Sequence, residues 1–197
     1  MLGWGVQPGA SASGGNQTLG LARQHVETVA LMRLGQSEPG DPMHVIEATI
    51  RAAFPEHPVP GILPRITEKF ADDIGEALAF RVNARTWPSV SILDWRYVAS
   101  PAICRTYMPP MTFAYYVPSF LVGVLSEPEW LYWALEAIIP FNKEHKPRGE
   151  WWFSFAEAFT GPQRAALHAF LAYQRDATTP LSLQDEELIR AAETIWA

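Results

Sequence analysis

Apolar residues recur at helical spacing through most of the 197-residue chain. Leu19, Ala22, Val26, Val29 and Ala30 predict a first helix over 19–33, ended by Gly35. Asp41 then stands as a cap, with Pro42 at the first position of a second helix. On that helix Met43, Ile46, Ile50 and Phe54 share one face. Glu47 and Arg51 form a favourable i,i+4 pair on another. Residues 55–64, PEHPVPGILP, hold four prolines and predict an ordered loop, because proline both blocks and interrupts backbone pairing. A third helix is expected over 66–81, with Phe70, Ile74, Ala77 and Leu78 inward and Phe80 off that stripe, covering its edge.

Periodicity is weakest after residue 82. WPSVSILDW predicts a short helix and WRYVAS a brief extended piece. The next stretch, MPPMTFAYYVPSFLVGVL, is apolar on nearly every face, the mark of a helix buried all round. Phe113, Tyr116, Val117, Phe120, Leu121 and Val124 lie on one side of it, and Pro118 deprives the carbonyl of residue 114 of a donor. Ser126 and Glu129 read as a capping box for a helix carrying Leu131, Leu135, Ile138 and Ile139, flanked by Trp130 and Trp133 and stopped by Pro140. WWFSFAEAF predicts a short helix that lays Trp151, Trp152 and Phe155 on the body. Thr160 caps the next helix, with Leu167, Phe170 and Leu171 inward. Ser182 and Asp185 start the last one, over 183–196. No run of alternating β-branched residues and no Asn-Gly or Asp-Gly turn is present. The pattern predicts an all-α orthogonal bundle of six or seven helices, with room for one minor two-stranded element around 90–105. It organises as an N-terminal arm over 1–18, rich in Gly and Ser, and a single helical domain over 19–197.

Composition adds aromatic weight to this picture. Hydrophobic residues make up 48% and charged residues 18%, against about 25% charged in a typical soluble domain. Eight tryptophans and ten phenylalanines imply a core, and an interface, built on large aromatic anchors. The net charge of −6 argues against nucleic acid, whose phosphates need a basic footprint, and favours a basic protein partner. Cys104, the single cysteine, sits among apolar neighbours and reads as a buried, inert thiol. The stretch at 108–125 falls short of the roughly 20 apolar residues a membrane span needs, so no membrane span is expected. The start MLGWGVQPGASASGG lacks the basic and apolar regions of a secretory signal, and the expected location is cytoplasmic.

The search for chemistry returns little. The five histidines include no pair at ligand spacing. Glu68, Asp72 and Glu76 share a stripe that reads as a solvated helix face, and no metal, cofactor or catalytic residue is predicted. No Gly-rich phosphate loop is found. One anomaly stands out. Arg81, Arg85, Arg96 and Arg105 fall between residues 77 and 126, where Asp94 is the only acid. Buried tyrosines need a hydroxyl partner, and these arginines are candidates. Arg85, Arg96, Arg105, Tyr115 and Tyr116 therefore form a candidate groove for an anion. Trp4, Trp130, Trp133, Trp151 and Trp152 are candidate interface anchors.

Phe113, Tyr115, Tyr116, Pro118 and Phe120 together resemble the central motif of an uncharacterised bacterial domain family, in which an aromatic-x-Tyr-Tyr-x-Pro helix ends in small and aliphatic residues. Arg85-Thr86-Trp87 is similar to an element ahead of that motif, and FTGPQRAALHAFLAY to the family's closing helix. The likeness covers residues 44–175 and departs at the cap, where Pro109-Pro110 stands in place of Thr-Pro. It implies an all-α unit and no activity. The expected role is a non-catalytic protein-binding protein, such as a cognate inhibitor (immunity protein) of a bacterial toxin, with homo-oligomerisation left open. The alternatives are an enzyme or sensor with an Arg/Tyr-lined anion pocket, and a structural adaptor.

Overall fold

The computed structural model describes residues 41–60, 73–140, 142–176 and 181–197. Trp4 and the arm at 1–18, the helix expected over 19–33, and Glu68 and Asp72 of the carboxylate stripe lie outside them. From Pro42 onward the described residues belong to one compact unit. Among them are nine α-helices, two 3-10 turns and no strand. The helices are α1 (Pro42–Ala53), α2 (Asp73–Arg81), α3 (Ile92–Arg96), α4 (Pro101–Tyr107), α5 (Pro110–Ser126), α6 (Leu131–Ile138), α7 (Glu150–Glu157), α8 (Gly161–Asp176) and α9 (Leu183–Trp196). The turns are Trp87–Ser89 and Pro128–Trp130.

The fold is all-α as expected, but divided more finely than six or seven helices. The segment 90–105 holds no strand pair. Ser91 starts α3 with a complete capping box to Asp94, and Ser100-Pro101 opens α4. WRYVAS is accordingly not extended: Trp95 and Arg96 are helical and Tyr97 closes α3. A second expectation fails for a related reason. Ser126 is the last residue of α5, so its backbone is already helical and cannot serve as an N-cap. Pro128 opens a 3-10 turn instead, and α6 starts without a side-chain cap. At the last two helices the predicted start residues are engaged. Ser182 accepts from the Asp185 N–H, and Thr160 donates its N–H to Gln163 Oε1 at 2.9 Å.

α5 is buried along its length and forms the axis of the core. α1, α3, α6, α7 and both 3-10 turns pack on it; α8 packs on α1, and α9 on α8 and α6. Phe120 stacks on Trp95 at 4.4 Å, and Phe113 meets Phe155 at 5.8 Å. Each such fully buried ring contributes roughly 1.5–3 kcal/mol over leaving it in water. Gly123 admits a close approach of two helices. A Cβ there would sit 2.9 Å from the Ile92 Cβ, so only glycine lets α3 lie this near α5.

Helices of five to nine residues gain little from propensity, because nucleation is costly. Long side chains compensate by bonding backbone carbonyls near helix ends. Trp196 Nε1 donates to the Ile138 carbonyl at 2.9 Å, Trp151 Nε1 to Met108 at 3.1 Å, and Trp87 Nε1 to Phe54 at 3.3 Å. Arg164 reaches the Ala156 carbonyl in the last turn of α7 and the Phe159 carbonyl just beyond it. Much of the aromatic excess is thereby accounted for within the fold. No helix among the described residues is long and apolar enough to cross a membrane.

Candidate functional site

Tyr115 and Tyr116 are neighbours on α5, about 100° apart around its axis, so their hydroxyls reach different segments. The Tyr115 hydroxyl donates to the Glu56 carbonyl at 2.6 Å and accepts from the Trp87 N–H at 3.2 Å. The Tyr116 hydroxyl lies 3.0 Å from both the Val82 and the Arg85 carbonyls. Burial pushes the Tyr116 phenol up to about 12, so it stays a donor throughout the physiological range. The pair fastens the chain after α1 and the turn after α2 to the central helix. Neither hydroxyl bonds the guanidinium of Arg81, Arg85, Arg96 or Arg105, which corrects the expectation that these arginines satisfy them.

The arginines have partners of their own. Arg85 donates to the Arg81 carbonyl at 2.6 Å and to the Ser89 carbonyl, and pairs with Asp94 Oδ2 at 3.3 Å. Arg81 meets Asp94 Oδ1 at 3.8 Å. Burial works against the Asp94 charge, but hydrogen bonds from Ser91 and the Arg85 guanidinium outweigh it and hold the carboxyl below its ordinary value. Arg96 lies 4.6 Å from the Trp130 ring centroid and pairs with no carboxylate among the described residues. Arg105 is buried, stacks over Trp152 at 4.8 Å, and donates to the Ile139 carbonyl at 2.9 Å and to the Glu136 carbonyl, closing the end of α6. The structure thus joins Arg85 to Tyr116 through backbone alone and sets Arg96 and Arg105 against separate tryptophans.

The Glu136 carboxylate is itself buried, and its Oε2 has no partner among the described residues. Burial raises its pKa, an effect that Arg105, the Ala102 N–H and the Ser100 hydroxyl oppose without cancelling. Cys104 beside this pair is fully buried, and burial pushes its thiol up to about 12, leaving it unreactive. His168 Nε2 is 2.7 Å from the Trp196 carbonyl, to which it donates. His57 is exposed on the proline-rich loop. No group of three or more His, Cys, Asp or Glu side chains among the described residues is arranged to hold a metal ion.

Trp130, Trp133, Trp151 and Trp152 are all half-buried and packed against the core. Among the described residues the most exposed aromatics lie elsewhere. Phe80, at the end of α2, is 83% exposed, and Tyr97, at the end of α3, is 68% exposed. The Arg81 guanidinium lies 4.3 Å from the Tyr97 ring and 6.0 Å from the Phe80 ring, gathering the three into one surface. Sequence reading placed Phe80 at a helix edge and missed Tyr97. The available signal was an aromatic residue off the apolar stripe, here Phe80, one position before an arginine.

A cavity of about 270 Å³ opens beside Tyr115. Its walls include Phe54, Phe159 and the prolines Pro55, Pro58 and Pro60, with no charged side chain among the described lining residues. A second, of about 190 Å³, has Arg51, Trp87, Ser119 and Glu127 among its lining residues. Neither includes Arg85, Arg96 or Arg105.

Comparison of the chain with family models, curated proteins and solved structures gave no match.

Proposed function

We propose that this chain is a non-catalytic protein-binding protein that engages its partner through the surface formed by Phe80, Arg81 and Tyr97. The observation that carries the reading is the exposure of two large aromatics, 83% and 68%, around one guanidinium. Nearly every other large aromatic side chain in the described fold is packed into or against the core. Aromatic residues and arginine are the types enriched where proteins meet. The net charge of −6, taken alone, points to a basic partner. Around this surface Asp94 is shared by Arg81 and Arg85, Arg96 pairs with no carboxylate among the described residues, and the exposed Glu76 stands one turn before Phe80, so the charges nearby are mixed. The segment that docks here is therefore mainly apolar, whatever the charge of the partner as a whole. A toxin-inhibitor role is one instance of this reading.

Placing a photo-reactive benzoylphenylalanine at position 80 in the native host tests it. The expected result is one discrete cross-linked species, with none from the same group placed at Phe153, an exposed aromatic on α7. Equal products from both positions, or none from position 80, would overturn the assignment.

A further inference from the structure

The cavity beside Tyr115 shares no residue with the Phe80–Arg81–Tyr97 surface and poses a separate question. Its volume of about 270 Å³ approaches the range of small-molecule sites. An apolar cavity of roughly 150 Å³ accommodates benzene, so this one has room for about two fused rings. Phe54 and Phe159, 6.1 Å apart and edge to face, offer aromatic walls. No charged side chain is among the described residues that line the space, so an ion held by these walls would lose hydration without gaining a counter-charge from them.

Two of the described lining side chains carry polar N or O atoms. The Tyr115 hydroxyl is already committed, donating to Glu56 and accepting from Trp87. Gln163 differs. Its Oε1 accepts the Thr160 N–H at 2.9 Å and the Thr160 hydroxyl at 3.1 Å, which fixes the amide orientation. Among the described lining side chains the Gln163 NH2 group is thus the one hydrogen-bonding group not committed within the fold, and it is a donor. We propose that this cavity binds a neutral, flat molecule of about two aromatic rings that presents a hydrogen-bond acceptor to Gln163.

The experiment titrates the full chain at neutral pH with three probes: quinoline, which is neutral and carries an acceptor, naphthalene, which has none, and 1-naphthoate, which is charged. Methyl resonances of Met111, Ala114 and Ala158, all lining residues, report occupancy. The expected result is saturable binding of quinoline with shifts centred on those methyls, and affinity roughly tenfold lower for 1-naphthoate. Gln163→Leu should remove the advantage of quinoline over naphthalene. Met111→Trp and Ala158→Leu, which narrow the space, should each weaken quinoline by a similar factor. Absence of saturable binding to the wild-type chain, shifts spread away from these methyls, or equal affinity for 1-naphthoate would overturn the proposal. The wild-type shift map decides even where a variant fails to fold. The pair Phe80→Ser and Tyr97→Ser should leave quinoline binding intact, so this site and the protein-docking surface fail or stand separately.

Discussion

Tyr116 and Arg85 meet through the backbone: the phenol lies 3.0 Å from the Arg85 carbonyl, while the Arg85 guanidinium turns away to Asp94. It is one of the contacts that set the aromatics holding the chain together apart from the few that stay exposed.

Tyr116→Phe should lower stability by about 1–3 kcal/mol, since it strands the buried Val82 carbonyl along with that of Arg85. Tyr115→Phe should cost less, because its bond to Glu56 is exposed to water, which can replace the hydroxyl. Urea unfolding of both variants checks the order.

Between those carbonyls the turn carries Ala84 at φ 60°, a left-handed conformation that penalises any Cβ. Ala84→Gly relieves that strain but adds freedom to the unfolded chain. The strain term is the larger, so the variant should be more stable by about 0.5–1 kcal/mol. An increase in the urea midpoint at unchanged slope is the expected reading.

Gly123→Ala should act in the opposite sense. Alanine is the better helix former by about 1 kcal/mol, yet its Cβ would lie 2.9 Å from that of Ile92 on α3. The overlap forces the helices apart, and a net loss of about 1–2 kcal/mol is expected from overpacking. Thermal unfolding measures it.

Glu136 links stability to pH. Burial raises its folded-state pKa above the ordinary 4.5, so the native state holds this proton more tightly than the unfolded chain. The stabilisation this proton provides is complete below the unfolded pKa and is lost as pH rises through the folded one. Glu136→Gln should remove that part of the pH dependence and raise stability at neutral pH relative to wild type. Unfolding free energies collected from pH 4 to 8 for both proteins test the sign.

The long elements were legible because their signals were local and redundant. Pro42 opens α1, Thr160 with Gln163 opens α8, and Ser182 with Asp185 opens α9, each ahead of a periodic apolar face. All-round apolarity identified α5 as the central helix. The region 90–107 was not legible, since helices as short as α3 and α4 complete fewer than two turns and show no period. The Ser126 box misled because α5 runs one residue further than expected and consumes its own cap. The candidate groove was drawn from side-chain types, but the acceptors for Tyr115, Tyr116 and Arg105 are backbone carbonyls, which every residue carries and no pattern marks.

The most direct test of the docking surface compares the wild-type chain with the double variant Phe80→Ser/Tyr97→Ser, measuring partner recovery from the native host and the urea midpoint together. Both side chains are largely exposed, so the midpoint should change by less than about 1 kcal/mol equivalent. The partner recovered in stoichiometric amount with the wild type should fall by roughly tenfold or more, a loss of about 1.4 kcal/mol. A variant that unfolds as readily as Tyr116→Phe, or one that retains its partner in full, would contradict the account.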